Sequence, residues 1–202
     1  MDPLELLASL QFANWNVAAR TFGSSHATLI GLMSEWWISL NPDSHTVLDG
    51  APSFGAGNAG WCDLMLCNSA GPLGVVEVEG TKPLDKLRTL DGYLKSSKLD
   101  LQSLSFCILV AYAYFIKGRG ASRAYPPAES PDVYAESLKL SLRYPTKPVL
   151  LVTIDKTVDS NPGPTRANSP YHLGSVSLVT GIALADGREL ARQSLWRLQR
   201  AT

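Results

Sequence analysis

Apolar positions along the chain fall into blocks whose period alternates between that of a helix and that of a strand. Asp2-Pro3-Leu4-Glu5 combines a capping acid, proline at the first helical position and an acid in the first turn, which predicts a short helix to about Leu10. Residues 14–23 carry no clear pattern. From Ser24 or Ser25 to Asn41-Pro42 the chain reads as a longer helix. Leu29, Ile30, Leu32, Met33, Trp36, Trp37, Ile38 and Leu40 make that helix apolar nearly all round, so it is expected to be buried on more than one side. Residues 45–48 suit a first short strand, and Asp49-Gly50 followed by a Gly-, Pro- and Ser-rich stretch to Gly60 suits a loop. Two apolar runs, 62–67 and 73–79, are separated by turn residues and predict paired strands. Pro83 opens a helix with Leu84, Leu87, Leu90 and Leu94 at helical spacing.

Residues 104–116 form the strongest strand signal, continuous enough for a central strand covered on both faces. Ser130-Pro131 starts a further helix that ends before Pro145, and residues 149–154 make another buried strand. Helix followed by strand is the crossover that adds a strand to a sheet. Residues 155–175 read as an exposed loop. Residues 176–184 then lead into the hairpin signal Asp186-Gly187. Residues 189–200 return either as a strand or as a basic amphipathic helix carrying Arg192, Arg197 and Arg200.

Composition narrows the class. With 202 residues, 45% of them apolar, the chain suits one well-formed core and excludes wholesale disorder. The expected organisation is a single domain over 1–202, with a helical extension at 1–23 and a hairpin or helix at 176–202. Eighteen basic and eighteen acidic residues leave no net charge, which argues against a histone-like binder coated in positive field. Cys62, Cys67 and Cys107 are odd in number and without zinc spacing, as buried core thiols would be. His26, His45 and His172 are scattered and are expected to be structural or exposed. No apolar run reaches membrane-spanning length and no leader pattern opens the chain, so a soluble cytoplasmic protein is expected.

The chemistry is concentrated in the acids of the two paired runs. Asp63 interrupts the first run, and Glu77 and Glu79 share one face of the second because strand side chains alternate. Pairing of the runs brings Asp63 beside both glutamates. Carboxylates crowded on a half-buried sheet repel one another and lose solvation, a conflict that a hard divalent cation resolves. A solvated sheet face carrying the same acids is the plainer alternative.

The spacing Gly60-x-x-Asp63 with Glu77-Val78-Glu79 resembles the active-site hairpin of the PD-(D/E)xK nuclease superfamily. The resemblance implies a restriction-endonuclease-like, three-layer α/β/α core: a central mixed β-sheet flanked by helices. It also implies Mg²⁺- or Mn²⁺-dependent hydrolysis of DNA. Asp63, Glu77, Glu79 and Lys82 would be the catalytic residues. Asp63, Glu77, the carbonyl of Val78 and Glu35 on the first core helix would be the metal ligands. Lys86, Arg88, Lys117 and Arg119 would contact nucleic acid, with DNA the expected partner and RNA open. Glu79 stands where the family's usual lysine does, and Lys82 and Lys86 are candidates for a lysine moved onto the following helix. Tyr93 is similar to a tyrosine of the exonuclease-like branch, but Thr89 replaces the glutamine expected four residues before it. Two-fold dimers are common among the family's endonucleases, and the Trp-rich helix is a candidate for such a contact. The alternative is an inactive domain of the same fold, acting as a nucleic-acid-binding or assembly module.

Overall fold

The computed structural model describes residues 2–16, 25–48, 62–80, 82–96, 103–112, 129–156 and 176–197. Helix α1 (Pro3–Ser9) begins as its sequence demands, with the Asp2 carboxylate accepting the Leu4 N–H at 2.9 Å. A single 3-10 turn (Leu10–Phe12) follows it. Helix α2 (Ser25–Leu40) then leads to three strands, β1 (His45–Leu48), β2 (Leu64–Asn68) and β3 (Gly71–Glu79). Helix α3 (Pro83–Lys95), strand β4 (Phe106–Tyr112), helix α4 (Pro131–Arg143) and strand β5 (Val149–Lys156) alternate after them. The hairpin β6 (Val176–Ala185) and β7 (Arg188–Arg197) ends the described chain.

All seven strands lie in one mixed sheet in chain order, β1 to β7. The first three pair antiparallel, β3, β4 and β5 pair parallel, and β5, β6 and β7 pair antiparallel. Parallel neighbours need a crossover, and right-handed crossovers that always advance in the same direction put their helices on the same side. Helices α3 and α4 accordingly pack together on one face, over Met65, Cys67, Val75, Cys107, Leu109, Val149 and Leu151. The opposite face, with Leu64, Leu66, Val76, Phe106, Ile108 and Val152, is shared by α2 over β1–β3 and α1 over β5 and β6. Strand β4 is buried on both sides over most of its length, which is why it reads as an unbroken apolar run.

Trp36 and Trp37 are core residues. Trp37 lies tilted against Phe106 with centroids 5.8 Å apart, and its indole N–H donates to the Cys67 carbonyl at 2.8 Å. Cys62, Cys67 and Cys107 are buried free thiols. Burial pushes the thiols of Cys67, to about 11, and of Cys107 above the ordinary range, so both stay protonated.

The tail resolves as a strand. Asp186 and Gly187 both take positive φ, at 51° and 67°, as a two-residue turn matched to strand twist requires. The Gly187 N–H donates to Ser141 Oγ at 3.1 Å, fixing the turn to α4. A Cβ at Gly187 would also stand 3.1 Å from the Leu142 Cβ. Gly187→Ala is therefore expected to cost about 1 kcal/mol or more, measured as a lower urea midpoint. An unchanged midpoint would show that the turn relaxes freely.

Candidate functional site

One edge of the sheet gathers the acids. Strands β3, β4 and β5 end there, β2 and β6 begin there, and the antiparallel register follows from that polarity. The β2–β3 register pairs Leu64 with Val76, so Asp63, one residue earlier, lies opposite Glu77. Asp63 is tied down by the Val78 N–H, which donates to Oδ2 at 2.8 Å. The Cys62 N–H, next in the chain, donates to the Tyr93 hydroxyl at 3.0 Å, anchoring the start of β2 to α3. Burial raises the Tyr93 phenol well above its ordinary range, so it remains a neutral hydrogen-bonding group.

Lys86, in the second turn of α3, joins the two acids. Its ammonium stands 3.3 Å from each Asp63 oxygen and 2.5 Å from Glu77 Oε2. Glu77 is fully buried, and among the described residues neither of its oxygens receives a directed hydrogen bond. The Lys86 contact is thus an ion pair off the line of a hydrogen bond. Burial raises the Glu77 carboxyl to about 8, helped by the charge of Asp63 and opposed by Lys86. Burial alone would lower the Lys86 ammonium, but the pull of Glu77 and then of Asp63 outweighs it and holds it above its ordinary value.

Other expected site residues separate into three groups. Glu79 lies at the same strand end, half-buried, with Oε1 accepting the Gly80 N–H at 2.8 Å. Its charge, together with that of Asp63, adds to burial in raising the nearby Tyr112 phenol. Val78 meets Asp63 through its backbone N–H. Lys82 is exposed at the cap of α3, one turn before Lys86, so Lys86 is the lysine that reaches the acids. Arg88 is 81% exposed in its side chain and bound to Asp85 on its own helix at 2.8 Å. Lys117 and Arg119 lie outside the described residues.

Glu35 does not join the acids. It is exposed on α2, which covers the other face of the sheet, between core positions Met33 and Trp36. Helix α2 instead contributes His26 from its first turn, whose Nε2 lies 3.4 Å from Asp63 Oδ1. About 13 Å of helix separates His26 from Glu35. Spacing alone does not mark His26; its place follows only from the direction in which α2 runs.

Two buried carboxylates of hard oxygen donors suit Mg²⁺ or Mn²⁺, which are held by one or two carboxylates and complete their shells with water and substrate phosphate. Glu77 Oε1, buried and lacking a hydrogen-bond donor among the described residues, fits that assignment. Among the described residues no three His, Cys, Asp or Glu side chains are arranged to hold an ion without such additional ligands. No helix among the described residues is long and apolar enough to cross a membrane. Comparison with known proteins finds no matching family model, no matching curated protein and no matching solved structure, so the reading of this edge rests on its own geometry.

Proposed function

We propose that the chain is a metal-dependent phosphodiesterase of the PD-(D/E)xK type, acting on DNA. The observation that carries the reading is the convergence of Asp63, Glu77 and Lys86 at the end of the β2–β3 hairpin. A helix, three antiparallel strands, a crossover helix and a parallel strand succeed one another in the order expected of a restriction-endonuclease-like core. Lys86 takes the place of the lysine missing from position 79.

Asp63 and Glu77 would hold Mg²⁺ or Mn²⁺. The bound cation supplies Lewis-acid charge at the phosphate and acidifies its water. The Val78 N–H fixes the Asp63 carboxylate in rotation, which keeps one oxygen turned toward His26 and Lys86. Lys86 supplies positive charge beside the acids, where negative charge grows on the phosphate oxygens during displacement. Glu79, on the same strand face two residues on, is positioned to hold the attacking water.

Calorimetric titration with Mn²⁺ tests the reading. Wild type is expected to bind, and Asp63→Asn combined with Glu77→Gln is expected to abolish binding while leaving the far-UV spectrum unchanged. Cleavage of duplex DNA, single-stranded DNA and RNA in Mn²⁺ then identifies the substrate, and Asp63→Asn should reduce the rate by about 10²-fold or more. Equal binding by wild type and double variant would refute the assignment. A second reading, a non-catalytic module of the same fold, is favoured by Lys86 already neutralising part of the acid charge. It requires nucleic-acid or protein binding that is indifferent to both substitutions.

A further inference from the structure

The position of Lys86 carries a consequence for how the acid pair is controlled. Its ammonium contacts both carboxylates at once, from the α3 side. One positive charge faces two acidic groups, and among the described residues Glu77 Oε1 is buried without a donor. The Lys86 side chain is 22% exposed, on a stem of four methylenes, so the charged head has a route to solvent that the carboxylates lack. Asp63 is held by the Val78 N–H and by the strand register, and Glu77 is enclosed within the sheet. Of the three groups, the lysine head is the one that can leave without disturbing the sheet.

We infer that Lys86 is a resident counter-ion that gates the site: its ammonium must give up its contacts with Asp63 and Glu77 before a divalent cation binds there. The inference rests on the carboxylate-pair reading above and adds a regulation to it. The displaced ammonium swings from the first turns of α3 toward the solvent side of the same edge, where an incoming phosphate would meet it. Metal entry and lysine release are then one exchange, and an anion that holds the ammonium outside favours the metal-loaded state. By linkage, the metal-loaded protein binds that anion more tightly as well.

The test is Mn²⁺ calorimetry on wild type, Lys86→Met and Lys86→Gln, with far-UV circular dichroism on each. Methionine keeps the apolar stem and removes the competing charge, and glutamine keeps a donor for Glu77 should the methionine variant fail to fold. Both are expected to bind Mn²⁺ about tenfold or more tightly than wild type, because a close charge pair no longer has to be broken. Inorganic phosphate should tighten Mn²⁺ binding by wild type and have no such effect on either variant. Wild-type binding with equal or weaker binding by the folded variants overturns the gate and leaves the metal site standing. Absence of binding by all three overturns the metal site and the gate with it.

Discussion

Glu77→Gln is expected to raise the unfolding temperature at pH 8 while removing divalent-cation binding. The Glu77 carboxyl is raised from 4.5 to about 8 in the fold, by burial first and by the charge of Asp63 second. A carboxyl raised in the folded state favours folding while it is protonated. Its full contribution is present below its ordinary value and is lost as pH climbs from about 4.5 to about 8. At roughly 1.4 kcal/mol per pH unit, wild type gives up about 2–4 kcal/mol across that window. Glutamine has the same shape and no charge to bury, so it escapes the loss. The gain corresponds to roughly 5–10 °C in a chain of this size, and it should vanish at pH 4. Lys86 does not confuse the comparison, because its ammonium is held above its ordinary value and stays charged throughout. Thermal scans of both proteins from pH 4 to pH 8.5 check the sign. A glutamine variant less stable than wild type at pH 8 would mean that the Lys86 ion pair outweighs the burial cost of Glu77.

The second large effect lies on the other face of the sheet. Phe106→Ala is expected to cost about 3–5 kcal/mol, because Phe106 is completely buried and packs on Trp37. The ring also lies over Gly74 on the neighbouring strand, where a Cβ would sit 2.4 Å from two ring carbons. Gly74→Ala alone should therefore destabilise by about 1–3 kcal/mol, since the ring cannot retreat from Trp37. In the Phe106→Ala background the same methyl enters space the ring has vacated and should cost much less. Urea denaturation of the four proteins measures the coupling directly. Additive costs would show that the ring moves aside freely.

Both strands of the acid-bearing hairpin, the crossover helices and the order of elements along the chain are legible because each rests on local signals. Pro83 and Pro131 open their helices, Asp186-Gly187 turns the last hairpin, and β4 is apolar on both faces. The alternation that put Glu77 and Glu79 on one face, and Asp63 beside Glu77, also survives intact. The tail was ambiguous because a basic amphipathic helix and an edge strand both place arginine outward, and pairing with β6 decides for the strand.

Errors arose where side-chain reach matters more than period. Lys82 and Lys86 are one helical turn apart and equivalent by spacing, yet only the second points along the sheet toward the acids. Glu35 is the lone acid of α2, but the helix buries Met33, Trp36 and Trp37 and leaves Glu35 outward. His26 had a signal of a different kind. The short link 41–44 forces α2 to end where β1 begins, so α2 must begin near the edge where β1 ends and β2 starts. A residue in its first turn, not its middle, is the one placed to meet Asp63.

The segment from Asp2 to Asn16 lies across the far half of the sheet rather than beside the strands it precedes. Leu7 packs against Gly181, its carbonyl accepts from Gln193, and Trp196 donates to Asn16. Helix α1 thus has most of its landing site made by strands far from it in sequence. Without β6 and β7, Leu6, Leu7 and Leu10 would lose most of the surface they cover and keep only their contacts with β5. Docking of α1 is therefore a contact of very long sequence separation, with Asn16 and Trp196 180 residues apart, and such contacts carry the largest loop-closure cost in folding.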